Sequence, residues 1–263
     1  MHRARAFFYV TAGVFLLALK KTLLISGLLL ALTASVASAG GINLSWNDCV
    51  EGGGAQDATF ACNTNTGTAG TLYASFVPNF DQTLCAFEFV IDVQSAGAAL
   101  PEWWKFKAAG TCRQASMTMN TNFTTGPFGC VDSWHGQFVL QDFNYLIGHS
   151  GPNTARIWGG GEIHCDTWEF VDTGVEYYCF ALIINRAKTV DTGSCPGCSE
   201  PVCLVFNELR LYDPLDRAWT SLNAPAQRNY VTWQGGGIGD PAGCPLATPT
   251  TKATWGRIKA LYR

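Results

Sequence analysis

The chain has few charged residues and no excess of basic ones. Lys and Arg number 17 and Asp and Glu number 20 among 263 residues. Four of the basic residues, Arg3, Arg5, Lys20 and Lys21, lie in the first 39 positions, which hold no acidic residue, so the rest of the chain is more acidic than the overall net charge of −3. Such a chain is poorly suited to neutralising phosphates, which argues against nucleic acid as a partner.

Recognised catalytic motifs are also missing. The sequence has no G-x-S-x-G, no H-E-x-x-H, no phosphate-binding glycine loop followed by Lys and no EF-hand pattern. It indicates no cofactor and favours a structural or binding module without catalytic activity, with a polysaccharide or a surface protein as partner. The alternative is a carbohydrate-binding or glycoside-hydrolysing extracellular protein, because paired carboxylates meet in space and not in sequence.

No apolar run after residue 40 is long enough to span a membrane. Before it, Lys20-Lys21, the apolar run 22–32 and the small residues Ala37-Ser38-Ala39 form the pattern of a signal peptide over residues 1–39, with cleavage before Gly40. An earlier apolar run, 7–19, is too short to cross about 30 Å of hydrocarbon. The sequence therefore predicts a protein that is secreted or exposed at the cell surface, with membrane contact only through its export signal.

Cysteine is abundant, and in an exported protein abundant cysteine indicates disulfide bonds. In an oxidising compartment thiols pair, so eleven cysteines predict a disulfide framework with one thiol left over. The cysteines are Cys49, Cys62, Cys85, Cys112, Cys130, Cys165, Cys179, Cys195, Cys198, Cys203 and Cys244. Two local pairings are plausible on spacing, Cys49 with Cys62 and Cys112 with Cys130.

The cluster Cys195-Pro196-Gly197-Cys198 followed by Cys203 has rival interpretations. A C-x-x-C turn binds zinc when a second ligand pair is near, or exchanges disulfides when it opens a helix. Here His164 is not at zinc-finger spacing, and the strand-like run 202–211 follows instead of a helix. The sequence therefore favours structural disulfides, with metal binding and redox chemistry as alternatives.

Hydrophobic periodicity after residue 40 is that of strands. The predicted strands are 42–46, 71–77, 84–93, 116–120, 137–140, 155–158, 163–170, 175–184, 202–211 and 230–233. The strand 175–184 is apolar on both faces. Gly159-Gly160-Gly161 is predicted to be one of the turns between strands. Short strands without alternating helices indicate an all-β, disulfide-braced sandwich, jelly-roll or immunoglobulin-like, over residues 40–246. At most a short helix is expected at the C-terminus.

Two polar or aromatic sets are candidate sites. Glu162, His164 and Asp166 share one parity of a predicted strand, so they are candidate metal ligands or an acid/base set; a solvent-facing strand face is the alternative.

The tryptophans are the second set, because exposed indoles offer flat platforms for sugar rings. The candidate ligand-binding residues are Trp103, Trp104, Trp134 and Trp158. Adjacent residues on a short turn are expected to point apart, which makes Trp103 and Trp104 the best exposed candidates. Packing in the core is the alternative for all of them.

The C-terminal segment 247–263 is a Pro/Thr-rich spacer followed by a basic ending. The residues that carry this ending are Trp255, Ile258, Lys259, Tyr262 and Arg263. It resembles the ending W-G-x-I-K-x-L-Y-R of an uncharacterised group of secreted bacterial proteins, and the segments 101–104 and 195–203 are similar to stretches in that group. The resemblance implies a sorting or surface-attachment tag and assigns no activity; the alternative is a terminal helix docked on the sandwich.

Overall fold

The computed structural model describes residues 41–215 and 218–234. The strands of this part of the chain are β1 (Gly41–Trp46), β2 (Asp57–Ala58), β3 (Thr68–Val77), β4 (Gln82–Leu84), β5 (Ala86–Ser95), β6 (Met117–Asn120), β7 (Leu140–Ile147), β8 (Thr154–Glu162), β9 (Glu169–Val171), β10 (Tyr177–Asn185), β11 (Val202–Tyr212), β12 (Trp219–Leu222) and β13 (Asn229–Trp233). Single 3₁₀ turns occur at Glu102–Trp104, Cys165–Thr167 and Pro225–Gln227. The predicted signal peptide and the C-terminal tag lie outside the described residues.

The strands form two main sheets. A four-stranded antiparallel sheet has the order β1-β3-β10-β6. A seven-stranded sheet has the order β2-β13-β11-β5-β8-β7, and β12 pairs with the second half of β11 beside β13. Its pairs are antiparallel except that between β2 and β13. A separate two-stranded ribbon joins β4 to β9.

Aromatic side chains from the two inner faces meet in one core. Phe180 of β10 stacks on Phe89 of β5 with ring centroids 3.9 Å apart, and it also contacts Phe87 and Phe206. All four residues are buried. Large aromatics buried between stacked sheets are a main source of stability in such a fold. The prediction of an all-β, disulfide-braced sandwich is therefore confirmed.

Tryptophans fill the part of the core next to β13. Trp233 contacts Trp103, Trp104 and Trp46, with ring centroids 4.9 to 5.8 Å apart. The 3₁₀ turn that carries Trp103 and Trp104 is covered by the segment after it, whose Arg113 guanidinium lies 3.6 Å from the Trp103 ring. Burial lowers the pKa of Arg113 to about 9. Both neighbouring indoles are buried because protein surrounds this turn.

Disulfides connect distant parts of the chain. The structure pairs Cys49 with Cys130, Cys62 with Cys198, Cys85 with Cys165, and Cys112 with Cys195. Cys203 is also disulfide-bonded, and Cys179 is a buried free thiol. The predicted local pairs Cys49–Cys62 and Cys112–Cys130 are wrong, because each of these cysteines meets a partner brought near by the sheets. Cys195 and Cys198 each bond elsewhere, as expected of structural disulfides.

The two outer faces of the sandwich differ, and this difference positions the candidate site. Loop residues cover the outer face of the four-stranded sheet, where Cys49 and Phe123 pack on Tyr178 and Ala181 in a small second core. This covering explains why β10 is buried on both faces, as predicted. On the seven-stranded sheet, the outer face carries a groove.

Two predicted strands are wrong, and four observed strands, β2, β4, β7 and β12, were not predicted. Residues 137–139 are a loop, and most of 163–170 is a loop with a 3₁₀ turn. The longest of these, β7, alternates Phe143, Tyr145 and Ile147 toward the core with the exposed residues Asp142, Asn144 and Leu146, a period of two that is present in the sequence.

Candidate functional site

Burial removes most of the predicted tryptophan platform. Trp103, Trp104 and Trp134 are 0% exposed, so the prediction that Trp103 and Trp104 face solvent is wrong. The indole NH groups of Trp103 and Trp134 donate to Thr189 Oγ1 and to the Tyr178 carbonyl, as expected of packed tryptophans. Trp158 differs, because 38% of it is exposed.

The predicted metal set is not assembled. Glu162 ends β8, whereas His164 precedes a 3₁₀ turn and Asp166 lies within it, so the three do not share a strand face. All three are exposed. Over residues 41–215 and 218–234, the group of three potential ligand residues whose ligand atoms all lie within 4.8 Å of one another is Cys49, Cys130 and Glu176 instead.

That second group is a structural anchor. Cys49 and Cys130 form a disulfide with each other and so are not available as thiolates. The buried Glu176 carboxylate accepts hydrogen bonds from Ser75 Oγ at 2.5 Å, from Asn43 Nδ2 at 2.9 Å and from the Glu51 amide at 2.8 Å. These bonds satisfy the buried charge and tie the loop after Cys49 to β3 and β10.

The candidate site is a groove of about 770 Å³ on the outer face of the seven-stranded sheet, here called the outer groove. It crosses β7, β8, β5 and β11. The side chains that line it include Glu88, Asp142, Arg156, Trp158, Glu162, Glu208, Arg210 and Tyr212. A groove of this size that combines an aromatic ring with several fixed polar groups is typical of ligand sites.

A glycine run keeps part of the outer groove free of side chains. Gly159-Gly160-Gly161, predicted as a turn, lies inside β8 between β5 and β7. A Cβ on Gly160 would lie 2.4 Å from the Phe87 carbonyl oxygen, and one on Gly161 would lie 2.6 Å from the Phe138 ring. Strand glycine is expected where a backbone or a ring approaches this closely. The prediction of a turn at these glycines is therefore wrong, because the need for glycine comes from close contacts with β5, β7 and Phe138 that the sequence alone does not show.

One ion pair fixes the wall of the groove beside Trp158. Arg156 donates from Nε and Nη2 to the two oxygens of Asp92, at 2.7 and 2.8 Å. Asn207 Nδ2 donates to the same carboxylate at 2.8 Å. The hydrogen bonds that Arg156 donates to Asp92, followed by the charge of Asp92, raise the pKa of Arg156. Because Asp92 is 8% exposed, this bidentate pair orients the guanidinium more firmly than a surface pair would.

A bulge in β11 shapes the opposite wall. The pairing of β11 with β5 shifts by one residue between Phe206 and Glu208, so Asn207 and Glu208 follow each other between buried Phe206 and Leu209. Bulges redirect side chains in this way. Here the bulge gives the outer face one extra polar residue.

Arg210 links two carboxylates across that wall. Its Nε lies 2.9 Å from Glu208 Oε1, and its Nη1 lies 3.4 Å from Glu88 Oε2. The hydrogen bond and charge of Glu208, and then the charge of Glu88, raise the pKa of Arg210. Burial, and then Glu88, raise the pKa of Tyr212 at the same end of the groove. These residues hold one another in fixed orientations.

Sequence reasoning singled out Trp158 and Glu162, which both line the groove, and missed the other polar residues around them. Glu88 and Asp92 stand on the polar parity of a correctly predicted strand, and Arg156 precedes Trp158 by two residues, so alternation placed all of them on one face. What the sequence does not give is the strand order that sets β8 and β11 on either side of β5. The tag residues Trp255, Ile258, Lys259, Tyr262 and Arg263 lie outside the described part of the chain.

Comparisons with known proteins add little. No protein-family model and no curated protein matches the chain. Among solved structures, the second type II cohesin module from the cellulosomal adaptor ScaA scaffoldin of Acetivibrio cellulolyticus is similar at 8% identity and a TM-score of 0.29, over 72% of this chain and 98% of that one. Agreement at this level identifies neither fold nor function, so both are inferred from the residues of this chain.

Proposed function

We propose that the protein is an exported binding module without catalytic activity, and that its ligand binds in the outer groove. The observation that carries the proposal is the half-exposed ring of Trp158 on the same sheet face as side chains that are already held by ion pairs. Side chains held before binding lose little conformational entropy when a ligand arrives. The groove is thus preorganised for recognition.

Export is part of the proposal. Nine of the ten described cysteines are in disulfides, which persist in oxidising compartments and are rare in the cytosol. No helix in the described ranges is long and apolar enough to cross a bilayer. The signal peptide expected over residues 1–39 supplies the route.

Two of the five groove carboxylates, Glu88 and Glu208, are better placed for binding than for hydrolysis. Glu88 and Glu208 both form ion pairs with Arg210, at 3.4 and 2.9 Å. Such pairs make them fixed hydrogen-bond acceptors, whereas hydrolysis of a glycoside requires one carboxyl group that gives up a proton to the leaving oxygen.

Retention on extracellular material tests the proposal. The full chain, exported and with its disulfides intact, is mixed with the insoluble envelope and matrix fraction of the producing organism, and its loss from solution is measured. We expect wild-type protein and Trp168→Ala to be retained and Trp158→Ala to stay in solution. Trp168 is a matched control, because it is 46% exposed but does not line the groove.

Two results would contradict the proposal. Equal retention of Trp158→Ala and wild type would remove the groove as the binding site. Steady release of soluble fragments from the fraction, lost in Glu208→Gln, would make the protein an enzyme.

A further inference from the structure

We infer that the ligand of the outer groove is an uncharged polysaccharide chain; this inference rests on the proposed function and names its ligand class. The groove is open along the sheet face, so it suits a chain that continues beyond the contact better than a small molecule that must be enclosed.

The floor of the groove fits the flat face of a sugar ring. Trp158 offers a half-exposed indole, and aromatic rings pack well against the apolar C–H faces of pyranoses. Gly160 occupies the next outward position on β8, and the Phe87 carbonyl 2.4 Å from its would-be Cβ leaves no room for a side chain there. The position next to the ring on the outer face therefore carries no side chain that would block a sugar unit beside Trp158.

The walls fit hydroxyl groups. Arg156, on the same strand as Trp158, and Arg210 of β11 present donors, and Glu88 of β5 and Glu208 of β11 present acceptors. Hydrogen bonds from charged groups to neutral partners are stronger than those between neutral groups. A neighbouring pair of sugar hydroxyls can donate to one such carboxylate and accept from one such guanidinium.

Charge excludes one class of glycan. The lining contains five carboxylates, Glu88, Asp142, Glu162, Glu208 and Asp213, against two arginines, Arg156 and Arg210. An acidic groove repels uronate, sulfate and phosphate groups. The ligand therefore carries no negative charge.

A basic peptide is the rival occupant, and the ion pairs argue against it. Three of the five lining carboxylates already have a cationic partner: Glu88 and Glu208 pair with Arg210, and Asp142 pairs with Lys107 at 3.2 Å. A cationic side chain would have to displace these partners, whereas a hydroxyl adds to them without breaking them.

Titration calorimetry with defined polysaccharides tests the inference. The full-length exported protein is titrated with soluble neutral chains (cello-oligosaccharides, xylan, mannan and dextran), with polygalacturonate and with a Lys-rich peptide. We expect at least one neutral chain to bind, and Trp158→Ala to weaken it by about tenfold or more, from lost stacking area. Trp168→Ala is expected to bind like wild type.

The dependence of binding on salt concentration distinguishes a neutral polysaccharide from a basic peptide. Binding of a neutral chain should be unchanged between about 0.05 and 0.5 M NaCl, whereas binding of a basic peptide should weaken strongly because exposed charges are screened. Circular dichroism checks that Trp158→Ala is folded; if it is not, Arg210→Ala, at an outward half-exposed position, replaces it with the same expected loss.

The possible outcomes distinguish the inference that the ligand is a polysaccharide from the proposal that the outer groove is the binding site. Salt-sensitive binding of the peptide alone, or binding of polygalacturonate, would overturn the polysaccharide while leaving the groove as the site. The same holds if no neutral chain binds although retention on the envelope fraction still depends on Trp158. Retention that is independent of Trp158 would overturn both.

Discussion

Phe89 and Phe180 stack with their ring centroids 3.9 Å apart and join the two sheets of the sandwich. Phe89 belongs to β5 of the seven-stranded sheet and Phe180 to β10 of the four-stranded sheet. Removing one of them leaves a cavity between the sheets that neighbouring side chains fill only in part.

Phe180→Ala is therefore expected to destabilise the fold strongly. A buried phenylalanine replaced by alanine costs about 3 to 5 kcal/mol. Chemical denaturation with the disulfides intact measures the change in the free energy of unfolding. Phe170→Ala is the control, because Phe170 is 52% exposed and its loss should cost less than about 0.5 kcal/mol. Equal effects of the two changes would contradict the packing described here.

Thiol labelling tests the disulfide framework. Cys179 is a buried free thiol, and burial raises its pKa well above the usual value, so little reactive thiolate is present. Without reductant, we expect an alkylating agent to label Cys179 only after the protein is unfolded in denaturant. Digestion of the unreduced protein should give peptides that link Cys49 to Cys130 and Cys112 to Cys195. A peptide linking Cys112 to Cys130 would show that the local pairing holds after all.

The sequence predicts features of the fold that depend on neighbouring residues better than features that depend on residues far apart in the chain. Alternation along one strand is local, and it predicted β3, β5, β10 and β11 within a few residues of their observed bounds. Disulfide pairing is not local, since Cys62 and Cys198 are 136 residues apart in sequence. Spacing alone therefore favoured the wrong partners.

In the candidate site, too, local features could be predicted from the sequence and features that join distant segments could not. Exposure of Trp158 on one strand face follows from alternation, but burial of Trp103 and Trp104 depends on the segment that covers their turn. The outer groove needs β5, the β7–β8 pair and β11, from three separate parts of the chain, to lie side by side, with a bulge in β11. No pattern within a single segment encodes that arrangement.

The glycine run in β8 gives a third prediction. A Cβ on Gly159 would lie 2.3 Å from the Asp142 carbonyl oxygen and 2.7 Å from Phe143 Cα. Both atoms belong to the backbone of β7, which can give way only by breaking its pairing with β8. Gly159→Ala is therefore expected to cost about 2 to 4 kcal/mol, near the upper end for single substitutions.

A matched glycine outside the sheet serves as its control. The atoms nearest to a Cβ on Gly97 are 3.6 Å away or more, so Gly97→Ala meets ordinary contacts. Its effect on the thermal midpoint should be small, and it is compared with Gly159→Ala in the same melting experiment. If Gly159→Ala melts together with Gly97→Ala, β7 does not lie against Gly159 as closely as described.

The last prediction concerns acid. The Thr173 amide donates to Asp81 Oδ1 at 2.7 Å, and this hydrogen bond, followed by one from the Thr173 side chain, lowers the pKa of Asp81 below the ordinary value of 3.8. A carboxyl group whose pKa is lower in the folded protein stabilises the fold fully above its unfolded pKa and loses that effect as the pH falls through the folded pKa. Asp81→Asn keeps an acceptor for the Thr173 amide but removes the charge. We therefore expect Asp81→Asn to be less stable than wild type at neutral pH, and the two denaturation curves to converge as the pH falls below about 3.8. A difference that persists unchanged to pH about 2 would mean that the variant loses packing and not a charge-dependent hydrogen bond.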